Sequence, residues 1–145
     1  MWKRLARPTV FIKVPATTEG LSAIQALISE GINVNVTLLF GLPRYRQVAD
    51  AYLAGLAARA AQGKPVTHVA SVASFFVSRI DSLVDPLLEH VIAQGGERAA
   101  IAKTLRGQVA IASAKMAYRL YKEVVCSDRF KQLAAQGARV QRLLW

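Results

Sequence analysis

The feature that most narrows the fold is an alternation. Short runs rich in Val, Ile, Leu and Phe are separated by longer segments whose apolar residues recur at helical spacing. The short runs occupy residues 9–15, 32–40, 67–79 and 140–145. The first is preceded by Pro8 and ended by Pro15. Between the runs lie helical patterns over residues 18–30, with Thr17 or Thr18 as N-cap and Gly31 as stop, and from Pro43 to about residue 62, broken by Gly63 and Pro65. A third helix is expected over residues 81–93, closed by Gln94, Gly95 and Gly96. Ile101, Leu105, Val109, Ala112, Met116, Leu120 and Val124 then predict one long amphipathic helix beginning near Glu97, followed by a short one over residues 128–136. Parallel strands need helical crossovers, so four strands alternating with helices predict parallel β/α units. No glycine-rich phosphate signature follows any strand, and a dinucleotide fold has no support.

Residues 9–17, TVFIKVPAT, place one lysine in a run that otherwise has no reason to carry a charge. Strand side chains alternate, so Thr9, Phe11 and Lys13 share one face and Val10, Ile12 and Val14 the other. An ammonium among apolar neighbours is destabilised relative to the amine, and a neutral amine attacks carbonyls. Two readings of Lys13 stand side by side: a Schiff-base lysine, and a strand-end lysine that extends its charge into water. The second strand adds an alternation of its own. Asn33, Asn35, Thr37 and Leu39 point one way, while Val34, Val36, Leu38 and Phe40 point the other. On the third, Ser74, Phe76 and Ser78 are expected on one face, with Arg79 at or just after the strand end. Polar side chains thus recur near the C-terminal ends of three strands, the end that forms the catalytic face of a β/α barrel.

At 145 residues and 53% hydrophobic content, the chain has the length and composition of one folded domain. Its most apolar run, residues 69–77, is far shorter than the roughly 18 residues of a membrane span. No signal peptide is read at the N-terminus, and a cytoplasmic location is expected. Cys126 is the only cysteine, which excludes an internal disulfide, and it is read as a packing residue. His68 and His90 are too few and too separated to suggest a metal site. The net charge of +10 comes from dispersed basic residues without a stacking-aromatic pattern, so they are read as solvated helix faces, with no nucleic acid as partner.

Three ordered motifs carry a resemblance. FIKVPATTEGLSAI, EGINVNVTLLF and SVASFFVSRID are similar to the lysine-bearing strand and the next two strands of the transaldolases. The approach, Trp2-Lys3 followed by Arg7-Pro8, is also similar. The resemblance covers nearly the whole chain. It implies a partial (β/α)8 barrel holding strands four to seven of the full barrel, as a single partial domain over residues 1–145. It further implies transfer of a dihydroxyacetone unit between sugar phosphates of the pentose phosphate pathway, with no metal or organic cofactor. Lys13 matches the position that forms the Schiff base with the ketose. Asn35 and Thr37 match polar positions around it, Thr37 as a holder of a catalytic water. Ser74 and Phe76 match active-site wall positions, and Arg79 matches an arginine that receives the substrate phosphate.

The implied partners are sedoheptulose 7-phosphate, fructose 6-phosphate, glyceraldehyde 3-phosphate and erythrose 4-phosphate, with no membrane. No carboxylate here matches the family's catalytic ones; Glu19 and Asp81 read as structural. The chain is therefore expected to be a transaldolase fragment, inactive in isolation, with two outer strands whose open edges favour self-association. Alternative readings are a non-catalytic remnant serving as a binding or assembly module, a related Schiff-base sugar-phosphate aldolase, and a nucleic-acid module suggested only by the charge.

Overall fold

In the computed structural model, which describes residues 7–145, β1 (Ile12–Pro15), α1 (Thr18–Ser29), β2 (Val34–Leu39), α2 (Leu42–Ala61) and β3 (Ser71–Phe75) succeed one another. Then come α3 (Val77–Gln94), α4 (Gly96–Leu105), α5 (Val109–Cys126), α6 (Asp128–Ala134) and β4 (Arg142–Leu144). The Trp2-Lys3 approach lies outside the described residues. The strands form one sheet in the order β1-β2-β3-β4, and every neighbouring pair is parallel. This is the expected α/β, partial-barrel arrangement. Within the described residues β1 and β4 are each paired on one side only.

The core lies between the sheet and its helices. Val14, Val34, Val36 and Ala73 project from the strands into one buried cluster with Ile24 and Ile28 of α1 and Val48, Tyr52 and Leu56 of α2. Burying each large apolar side chain contributes about 1.5–3 kcal/mol. Thr17 caps α1 by accepting from the Gly20 N–H at 3.1 Å. The Glu19 carboxyl in the first turn lies below its usual value. Its own backbone N–H is the main cause, followed by the Thr17 hydroxyl, with Arg44 adding a smaller effect.

Several expectations are corrected. β1 begins at Ile12 rather than Thr9, and Phe11 is exposed. In β2 the alternation holds through Thr37 and then inverts. The register with β3 shifts between Val36 and Leu39, and Leu38 adopts φ 60°, so Leu39 enters the core while Leu38 and Phe40 are exposed. The third strand stops at Phe75. Phe76 is the N-cap of α3, so Ser78 and Arg79 lie in its first turn and not on a strand face. The helix thus starts before Asp81 and continues through Pro86.

The expected long helix is two, α4 and α5, separated at Gly107, whose φ of 67° breaks the helical path. Two carboxylates of α3 hold that break. Asp85 Oδ1 accepts from the Gly107 N–H and Asp81 Oδ1 from the Ala110 N–H, each at 3.1 Å. Cys126 is exposed at the end of α5 and is not a packing residue. Among the described residues no helix is long and apolar enough to cross a membrane.

Candidate active site

Strand register decides which side chains meet. Lys13 lies opposite Asn35, Asn35 opposite Val72, and Pro15 opposite Thr37. Ser74, two residues beyond Val72, lies opposite Leu144. Because alternate residues share a face, Lys13, Asn35, Thr37 and Ser74 all project from the side of the sheet away from the helix-packed core. Thr37 and Ser74 lie in the C-terminal halves of β2 and β3, whereas Lys13 and Asn35 lie at the second positions of β1 and β2, further from the strand ends than expected. Ser74 Oγ donates to Asn35 Oδ1 at 2.8 Å, which ties β2 to β3 across this face and fixes the direction of the amide.

A cleft of about 370 Å³ lies against the face, bordered by Lys13, Thr37, Ser74, Phe76 and Trp145. Thr37 is buried, and its Oγ1 has no hydrogen-bond partner among the described residues. Leaving such a hydroxyl unpaired costs about 1–3 kcal/mol, so it is a ready partner for a polar group entering the cleft. Lys13 itself is exposed, as in the reading of a strand lysine that extends its charge into water. Among the described residues β1 is an edge strand, and the lysine has a strand neighbour on one side only. Among the described residues bordering the cleft there is no carboxylate.

Asn33 sits two residues below Asn35 and does something else. Buried, it donates through Nδ2 to the Pro8 and Val10 carbonyls at 2.7 and 3.2 Å and accepts the Ala70 N–H at 2.9 Å. It therefore fastens the entries to β1 and β3 onto β2. Phe76 reaches the cleft from the β3–α3 junction, and Arg79 lies beside it with its guanidinium 4.5 Å from the Phe76 ring centroid. Two further residues at the site carry no sequence signal. Phe40 is turned outward by the Leu38 bulge and stacks on Phe76, and Trp145 closes the cleft from beyond β4.

A larger groove of about 740 Å³ runs between α3, α5 and Trp145. Its lining is mainly apolar, with Lys115, Lys122 and Asp81 at its margins, and none of the strand-end polar groups reaches it. The Lys13 cleft, though smaller, holds the convergent chemistry. Among the described residues no group of His, Cys, Asp or Glu could hold a metal ion.

A model of the transaldolase/fructose-6-phosphate aldolase family matches residues 1–140. A transaldolase of Saccharopolyspora erythraea is 52% identical over 145 residues, covering 100% of this chain and 37% of that protein. One from Trichodesmium erythraeum is 51% identical over 143 residues, covering 97% of this chain and 38% of that protein. One from Mycobacterium tuberculosis is 49% identical over 146 residues, covering 100% and 38% respectively. The chain thus spans less than two-fifths of the length of these relatives. A match over this extent, on a sheet of parallel strands, shows that the chain belongs to the transaldolase/fructose-6-phosphate aldolase family.

Proposed function

We propose that this chain carries the Schiff-base half of a transaldolase site, acting on sugar phosphates of the pentose phosphate pathway in the cytoplasm, and that residues 1–145 act as a single partial-barrel unit. The observation that carries the reading is the common face of Lys13, Asn35, Thr37 and Ser74 beside one cleft. The Lys13 amine, unprotonated, attacks the C2 carbonyl of a ketose phosphate such as fructose 6-phosphate or sedoheptulose 7-phosphate. Loss of water gives an iminium, which accepts the electron pair of the C3–C4 bond when that bond breaks. As the C4 hydroxyl gives up its proton and becomes a carbonyl, glyceraldehyde 3-phosphate is released from fructose 6-phosphate or erythrose 4-phosphate from sedoheptulose 7-phosphate. The enamine left on the lysine is the dihydroxyacetone unit to be transferred.

In this reading Ser74 orients Asn35 beside the lysine, and the Thr37 hydroxyl holds the water released or consumed at the imine. Phe76 walls the cleft, and Arg79 receives the phosphate through its planar fork. The positive charge is assigned to helix surfaces and phosphate affinity rather than to nucleic acid. Arg46 of α2, Arg106 just past the end of α4 and Arg129 of α6 stand apart in exposed ion pairs with Glu123, Glu89 and Asp50. Self-association through the one-sided edges of β1 and β4 belongs to the same proposal.

A second reading, a catalytically inactive module that retains ligand binding, is favoured by one specific observation, the absence of a carboxylate at the cleft among the described residues. The test is to incubate the chain with fructose 6-phosphate and borohydride and to map adducts by mass spectrometry. Reduction of the imine is expected to mark Lys13, and Lys13→Ala is expected to abolish that mark. An adduct confined to other lysines would remove the proposed role.

A further inference from the structure

The Leu38 bulge changes the position of one aromatic side chain. Had the alternation of β2 continued, Phe40 would project with Val34 and Val36 into the helix-packed core. The register shift puts Leu39 there instead, fully buried, and leaves Phe40 40% exposed just beyond the strand's C-terminal end. There its ring lies 5.7 Å from that of Phe76, with 30° between the planes. The Arg79 guanidinium lies 4.5 Å from the Phe76 centroid. The Phe76 N–H donates to the Leu39 carbonyl at 3.2 Å, so the backbones carrying the two rings are joined one residue before Phe40. Phe40, Phe76 and Arg79 therefore form a short chain of contacts running from the end of β2 to the first turn of α3.

We propose that Phe40 is a positioning residue for Arg79. By stacking on Phe76 it holds the ring against which the guanidinium rests, and so sets how tightly the site takes the phosphate group of a ketose phosphate. The inference rests on the proposed Schiff-base reading for its substrate class. Its physical basis is separate. An exposed arginine has several rotatable bonds, and fixing its fork before the anion arrives removes an entropic cost of binding. A guanidinium over an aromatic face is held by the ring quadrupole, but only in the plane that the ring adopts. Phe76 is itself half-buried, and the Phe40 ring stacked on it restrains the plane it presents to the guanidinium. An aromatic kept exposed at a strand end is otherwise a loss, since burial would stabilise it more.

The test compares a phosphorylated with an unphosphorylated ketone in the full chain. Borohydride trapping at Lys13 is titrated with fructose 6-phosphate and with dihydroxyacetone for the natural sequence, Phe40→Ala, Phe40→Leu and Phe40→Tyr. Half-saturation for fructose 6-phosphate is expected to rise about three- to tenfold in the Ala and Leu variants, the size of a lost stacking contact. Half-saturation for dihydroxyacetone is expected to stay within about twofold, and Tyr, which keeps the ring, is expected to keep the fructose 6-phosphate value of the natural sequence. Equal behaviour of the variants toward both ketones, or equal weakening toward both, would overturn the proposal, the second outcome marking a merely structural role.

A parallel titration with inorganic phosphate, followed by the NMR signal of the Arg79 Nε–H, separates this inference from the reading beneath it. If Lys13 traps neither ketone but phosphate still shifts Arg79, and does so more weakly in Phe40→Ala, the Schiff-base reading fails and the role of Phe40 stands. If phosphate leaves Arg79 unshifted, or shifts it equally in both proteins, the role of Phe40 fails.

Discussion

Two tyrosines show how burial at single residues becomes a pH dependence of the whole fold. Tyr45 and Tyr52 lie in the core, and desolvation pushes both phenols well above their ordinary value of 10.0. Tyr121 adds to the effect at Tyr45, and Arg139 partly offsets it at Tyr52. The folded chain thus keeps protons that the unfolded chain releases, so this contribution to stability is complete below about pH 10 and is lost as the pH rises toward the folded-state values. Urea midpoints measured from about pH 8 to about pH 11 are expected to be flat at first and then to fall. Tyr52→Phe is expected to flatten the alkaline fall. It should also lower stability near neutrality by about 0.5–1.5 kcal/mol, because the hydroxyl donates to the Arg139 carbonyl at 2.8 Å. An alkaline fall as steep in Tyr52→Phe as in the natural sequence would show that other groups control it.

At the level of elements, the contact between α1 and α2 is made close by a glycine. Gly55 of α2 faces α1 so tightly that a Cβ there would come within 2.8 Å of the Ile28 Cβ and 2.7 Å of the Gln25 carbonyl oxygen. Both obstacles belong to a packed helix and cannot swing aside, so Gly55→Val is expected to destabilise the fold by about 1–3 kcal/mol in denaturant titrations. An unchanged midpoint would mean that α1 and α2 can separate at little cost.

Much of this element plan is legible in the sequence, because α1, α2 and the first part of β2 each bury one face and so carry a periodicity. Where the reading departs, the cause is local. Nothing marks the bulge at Leu38, which is not a glycine despite its φ of 60°, so the side of Leu39 and Phe40 is set by pairing with β3. Phe76 offers no capping oxygen to signal the start of α3, and the run from Phe75 to Val77 reads as strand. Gly107 is spanned by an apolar period that continues across it from Leu105 to Val109, so two helices read as one. The face of Lys13, Asn35, Thr37 and Ser74 follows from parity, whereas the exposure of Lys13, one of two readings that its local pattern leaves open, is decided by the fold around it.

For the molecule as a whole, imine formation and turnover have different requirements. The first needs an accessible amine, and the exposed Lys13 stands beside the cleft. The second needs a group to take the hydroxyl proton as the C3–C4 bond breaks and to return it to the acceptor, and the described residues around the cleft offer hydroxyls and an amine but no carboxylate. Loss of general acid-base help alone costs roughly 10² to 10⁴-fold in rate. Among the described residues the sheet has four strands paired on one side only at both edges, and such a sheet does not enclose a substrate, so pre-positioning is weaker still.

Association of two copies through β1 and β4 would supply eight parallel strands, yet it would duplicate Lys13 and the same cleft lining without adding an acid. The chain on its own is therefore expected to form a borohydride-reducible adduct with fructose 6-phosphate while transferring dihydroxyacetone to erythrose 4-phosphate at a rate indistinguishable from Lys13→Ala. That rate should not rise with protein concentration over a range in which sedimentation velocity detects dimers. Lysine-dependent transfer in step with the dimer fraction would place the missing acid on a neighbouring copy, and transfer independent of concentration would place it within a single chain.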